Sequence, residues 1–133
     1  MIYRANADTK LKVAGWTQFF KTVFLVSAKS KGEAESVAKR ELDASPVTYD
    51  KLFIEYIGRE YRVSSNEATS VAGVKYAENS ITRVAIYEGT MQISVDCKRN
   101  GREDHDIIGV WCNPTDFKSA VDKLFSKMKY NEI

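Results

Sequence analysis

Apolar and polar positions along the chain follow periods that predict a short series of strands and helices. Thr22 to Ala28 (TVFLVSA) is a continuous apolar and β-branched run, the pattern of a buried strand. A helix is predicted directly after it, over about 31–43. Ser30 with Glu33 three residues on is a capping-box signature, and Ala34, Val37, Ala38 and Leu42 recur on one helical face. Glu35, Lys39 and Arg40 fall on the other side, and Ser45-Pro46 closes the element.

Leu52 to Ser64 fits two templates. Leu52, Phe53, Tyr56 and Ile57 have helical spacing, but the aromatic and β-branched content favours a hairpin turning at Gly58-Arg59. Glu67 to Tyr76 reads as a weak helix through Ala68, Val71, Ala72 and Tyr76, which Gly73 would weaken by about 1 kcal/mol.

Residues 81–112 support a tighter deduction. Glu88-Gly89 and Asn100-Gly101 are both two-residue hairpin signals, and each sets a register. The first pairs Ile86 with Met91 and Val84 with Ile93; the second pairs Met91 with Val110 and Ile93 with Ile108. All six then share one face, which a slip of one residue would destroy, so a three-stranded antiparallel meander is predicted. Arg83, Tyr87, Gln92, Ser94, Asp96, Lys98, His105 and Trp111 fall on the opposite face.

The last helix is predicted over about 114–128. Asn113 is a favoured N-cap, Pro114 suits the first turn, and Asp116 complements the dipole. Phe117, Ala120, Val121, Leu124, Phe125 and Met128 form its apolar stripe. The order of elements predicts an α+β two-layer sandwich: a mainly antiparallel sheet with both helices on one face.

Length and composition narrow the class. A chain of 133 residues, 44% hydrophobic and 29% charged, is expected to be one globular domain spanning residues 1–133. No apolar run approaches a membrane span and MIYRANADTK lacks a secretory h-region, so the cytosol is the expected compartment and no membrane partner is expected. The net charge of +2 is too small to announce a nucleic-acid binder. Its placement is uneven: Arg4, Lys10, Lys12, Lys21, Lys29 and Lys31 stand against Asp8 alone in the first 31 residues. That excess can attract an acidic partner or merely solvate a strand.

Catalytic chemistry finds little support. Two cysteines and one histidine make no Cys/His zinc site, and there is no C-x-x-C, H-E-x-x-H, G-x-G-x-x-G or P-loop. No metal or cofactor is expected. In the meander register Cys97 lies opposite Asp104, and Cys112 lies about 25 Å away at 3.3 Å per residue, so both thiols are expected free. Glu103-Asp104-His105-Asp106, with Asp96 across the strand, can orient and activate an imidazole. It lies beside a hairpin tip without an identifiable nucleophile, so a small hydrolase is the weakest reading.

Binding is the stronger expectation. Tyr87 and Trp111 in one cross-strand row, flanked by Arg83 and Lys98, suit either a protein interface or the stacking of single-stranded bases; Lys10 and Lys12 would steer a partner. The phrase FLVSAKSKGEAESVAKREL resembles the strand-then-helix of many small bacterial and bacteriophage domains, a folding pattern that carries no site. A non-catalytic accessory, regulatory or inhibitory protein acting through protein contacts is therefore expected, with single-stranded nucleic-acid binding as the alternative. The sequence leaves the identity of the partner and the oligomeric state open.

Overall fold

The computed structural model describes residues 1–71, 73–111 and 114–133, and the backbone alone at 110, 111, 114 and 115. The fold is α+β but mainly antiparallel sheet, with 60% strand and 18% helix among the described residues. Contacts divide it into two compact units, Met1–Ile57 and Gly58–Ile133.

The first unit opens with a hairpin absent from the sequence-based scheme. Strands β1 (Ile2–Val13) and β2 (Trp16–Ser27) pair from Ile2–Ser27 to Val13–Trp16. Ala14 and Gly15 both take positive φ, 51° and 83°, as a two-residue turn matching strand twist requires. Helix α1 (Lys31–Asp43) begins as predicted: Ser30 Oγ accepts the Glu33 N–H at 3.2 Å. The Glu33 carboxylate accepts the Lys29 N–H at 3.1 Å, one residue before the N-cap of the standard box. Ala34 and Ala38 pack with Tyr3, Ala5, Val26 and Ala28 in one core. Small residues on both elements allow this close approach. The unit's third strand is the first part of β3 (Thr48–Ser64), which neighbours β1; its Leu52 and Ile54 join the same core.

Two expectations fail in this region. Thr22–Ala28 is not a buried strand: Val26 and Ala28 are buried, while Val23 is 54% and Leu25 47% exposed. The run occupies an edge strand whose second face no described element of the unit covers. Residues 52–64 do not turn at Gly58-Arg59, because β3 runs straight through. Gly58 pairs with Tyr87, and an added Cβ there would lie 2.6 Å from Tyr87 Cβ and against the Ile86 carbonyl oxygen. Its glycine serves close strand approach rather than reversal.

The second unit contains the meander in the deduced register. Strand β3 pairs with β6 (Ile81–Tyr87), β6 with β7 (Thr90–Arg99) and β7 with β8 (Arg102–Trp111). Ile86–Met91, Val84–Ile93, Met91–Val110 and Ile93–Ile108 are all partners, with an irregularity between Ile81 and Arg83. Helix α2 (Pro114–Phe125) is shorter than expected. Its Leu124 nevertheless shares a core with Val84, Met91, Ile93 and Met128. The chain then returns as β9 (Lys129–Glu132) along β3, a strand missed in the sequence because all four of its residues are exposed.

The expected helix at 67–76 is instead a small hairpin, β4 (Thr69–Val71) with β5 (Val74–Tyr76), in which Gly73 takes a φ of +80°. Ser65 ties this region together, its hydroxyl lying within 3.3 Å of Thr69 Oγ1 and of the Lys127 carbonyl oxygen. The N-cap assigned to Asn113, the Cys112 thiol and the side chain of Trp111 lie outside the described residues. No helix among the described residues is long and apolar enough to cross a membrane.

Candidate binding surfaces

The meander face nominated by the sequence is assembled with the expected row but carries mixed charge. Tyr87 is partnered by Thr90 and Thr90 by Trp111, so the two aromatic positions lie about 9–10 Å apart at the usual strand spacing. Tyr87 is half-buried. The Arg83 guanidinium binds Glu60 at 3.1 Å, and Lys98 lies opposite Glu103. A depression of about 400 Å³ is lined by Glu60, Arg83, Ser94, Asp96, His105 and Ile107. Its two carboxylates oppose the single guanidinium, which disfavours a phosphate there.

The acidic run at the β7–β8 tip is occupied by an arginine. Arg99 forms ion pairs with both Asp104 and Asp106. Asp96 is the cross-strand partner of His105. Cys97 approaches the Asp106 carboxylate at 3.9 Å; burial first, and then that negative charge, hold its thiol above the usual cysteine range. The thiol therefore stays protonated near neutral pH, the less reactive form. Among the described residues no three His, Cys, Asp or Glu side chains group to hold a metal ion.

A second surface, largely unanticipated, lies on the outward face of the first unit. Strand alternation places Arg4, Asn6, Asp8, Lys10 and Lys12 of β1 on this face, opposite Leu25, Val23, Lys21, Phe19 and Thr17 of β2. Phe53 and Glu55 of β3 share it, since Leu52 and Ile54 point into the core and Glu55 binds Arg4 at 3.1 Å. Phe19 is 71% and Phe53 67% exposed, with Val23 and Leu25 about half exposed. Single exposed hydrophobes are ordinary; several on one sheet face suggest a contact surface.

The lysines are arranged around these apolar groups. Lys10 Nζ stands 5.7 Å from the centre of the Phe19 ring, and Lys21 binds Asp8 at 3.3 Å. A depression of about 430 Å³ is lined by Asp8, Lys10, Phe19, Lys21, Asp50 and Lys51. Lys10 and Lys12 also line a neighbouring one of about 350 Å³ with Thr17, Pro46 and Thr48. The structure thus brings these two nominated lysines together, on strand β1. Lys51 takes a φ of 51° within β3, a left-handed conformation costing a side-chain-bearing residue roughly 1–2 kcal/mol. Asp50 Oδ1 accepts the Lys51 N–H at 2.8 Å and supports this bend at the rim of the larger depression.

Val23 and Leu25 were missed because an apolar run gives no indication of which face is covered, and Phe19 and Phe53 because they lie outside that run, on strands whose pairing was not foreseen. The available clue was the basic excess before residue 32, which marks the same segment. No protein-family model, curated protein or solved structure matches the chain.

Proposed function

We propose that this chain is a small non-catalytic binding protein of the cytosol that regulates or inhibits a protein partner, using the outward face of the β1–β2 hairpin and β3. The carrying observation is the exposure of Phe19, Val23, Leu25 and Phe53 together, with Lys10, Lys12 and Lys51 around them. Aromatic side chains anchor protein interfaces, and charged rims steer association. The partner surface this chemistry fits is apolar at its centre and acidic at its edge. The packing of α1 against one side of β1 and β2 supports the reading, because a helix covering one side of a sheet leaves the other available for contact.

Capture from the native source should recover a stoichiometric complex that survives nuclease. Phe19→Ala should weaken it by about 2 kcal/mol or more, as removal of a central aromatic does. Lys10→Glu with Lys12→Glu should slow association, while His105→Ala should leave binding unchanged because no catalysis is invoked. A complex indifferent to both Phe19→Ala and Phe53→Ala would refute the placement.

A second reading is single-stranded nucleic acid on this same face, favoured by exposed Phe19 and Phe53 rings beside Lys10 and Lys51. It predicts affinity falling steeply with salt and nucleic acid recovered alone, released at moderate ionic strength.

A further inference from the structure

Strand β2 pairs with β1 on one side, and among the described residues no strand pairs with its other side. Natural edge strands are usually short, bulged, interrupted by proline or outwardly charged, because an open row of backbone donors and acceptors recruits another strand. Strand β2 has none of these protections in full. Trp16 to Ser27 spans 12 residues with a continuous register, contains neither proline nor glycine, and has Lys21 as its single charged residue. That ammonium pairs with Asp8 of its own hairpin at 3.3 Å but stays largely exposed, so it limits the registers a second strand can take without closing the edge to one.

We infer that two copies of this chain associate through their β2 edges as an antiparallel pair, with the two-fold axis passing between Thr22 and its own copy. A two-fold axis normal to a continuous sheet must pass between one residue and its equivalent, so registers can be compared residue by residue. Centring on Lys21 sets the two ammonium groups opposite each other. Centring on Val23 places Lys21 opposite Leu25 and Phe19 opposite Ser27. Centring on Thr22 pairs Phe19 with Leu25, Phe20 with Phe24 and Lys21 with Val23; it keeps the two ammonium groups apart, as opposed like charges destabilise a strand pair, and alone of the three sets two aromatic residues opposite each other. On the outward face, the row through Lys10 and Phe19 then continues into Leu25 and Arg4 of the second copy, with cations outside and apolar groups meeting at the seam.

This inference is separate from the docking reading, since a monomer can still bind a partner through Phe19 and Phe53. Light scattering during size-exclusion chromatography of the full chain, from about 1 μM to about 1 mM, should show a concentration-dependent dimer. Val23→Lys places a charge beside Lys21 of the second copy and should weaken the dimer about tenfold or more. Val23 is over half exposed, so the melting curve should remain near that of the parent.

A cysteine at the axis provides the second measurement. Opposed residues of an antiparallel pair have Cα atoms about 4.5–5.5 Å apart, within disulfide range. Thr22→Cys oxidised with glutathione disulfide should therefore yield a dimer linked at residue 22, identified by peptide mass spectrometry. Val23→Cys, facing residue 21, should form no corresponding link. A monomer throughout the concentration range, a dimer unaffected by Val23→Lys, or a dimer linked efficiently at 23 but not at 22 would overturn the proposal.

Discussion

Replacing Gly58 by alanine tests the largest revision of the sequence-based fold, the continuation of β3 through a position expected to turn. A Cβ there would stand 2.6 Å from Tyr87 Cβ, whereas favourable carbon–carbon contacts lie at about 3.5–4.0 Å. The strands must part locally by about 1 Å to restore that separation. The paired stretch is short, Gly58–Arg62 against Arg83–Tyr87, so the strain falls on few hydrogen bonds. Overpacking costs about 1–3 kcal/mol and each weakened bond up to about 1.5, offset by at most about 1 from a stiffer unfolded chain. The expected net loss is about 2–4 kcal/mol.

Gly32 is the internal control for this substitution. It lies in the first turn of α1, where an added Cβ meets nothing within 4 Å. Gly32→Ala should be stabilising by up to about 1 kcal/mol. Urea unfolding followed by far-ultraviolet circular dichroism measures both changes, with an unchanged denaturant slope as the condition for comparing them. A Gly58→Ala protein within about 1 kcal/mol of the parent would refute the close-approach argument.

Leu124→Ala should cost about 2–5 kcal/mol in the same assay, because Leu124 is 4% exposed in the core shared with the meander. Lys51→Gly should be neutral or stabilise by up to about 1 kcal/mol, since relief of the positive φ outweighs or balances glycine's added entropy; partner affinity should fall with loss of the ammonium. In a Cys112→Ser background, the pH midpoint for Cys97 alkylation should lie above that of a free thiol, because burial and Asp106 both disfavour the thiolate. Asp106→Asn should lower that midpoint; no change would remove Asp106 as a cause.

The legible parts of the fold share a physical property: their signals are short-ranged and mutually constraining. Ser30 and Glu33 define a helix start within four residues, and two X-Gly turns in succession fix the meander register by requiring six apolar side chains on one face. Where those constraints were absent, composition misled. Gly58 could serve a turn or a close contact, and only the arrival of β6 decides between them. Glu67–Tyr76 has residues compatible with a helix, but Gly73 at positive φ reverses it into a hairpin.

The meander face was legible through its turn registers, whereas the outward face of the first unit was legible only as charge. Lys10 and Lys12 were singled out through the basic excess, yet Phe19 opposite Lys10 was not, and Val23 and Leu25 of the same strand read as part of a buried run. Whether a β-branched run has one covered face or two depends on what packs over each side of its sheet. In the first unit α1 lies against one side, through Ala34 and Ala38, and TVFLVSA does not encode locally that the other side is left open.

The dual pairing of β3 sets an order of assembly. The β1–β2, β6–β7 and β7–β8 hairpins each close around a two-residue connection, so their contacts are near neighbours in the chain and can form on the microsecond scale. Tyr61 instead meets Val84 on one side and Glu132 on the other, and both encounters require closure of a longer loop. The folding barrier is accordingly expected to lie in capturing β3, with hairpins accumulating before it and β9 sealing its exposed side afterwards. Until that seal forms, Tyr61–Ser64 of β3 present an open backbone edge, which exposes this stretch to incorrect pairing during folding.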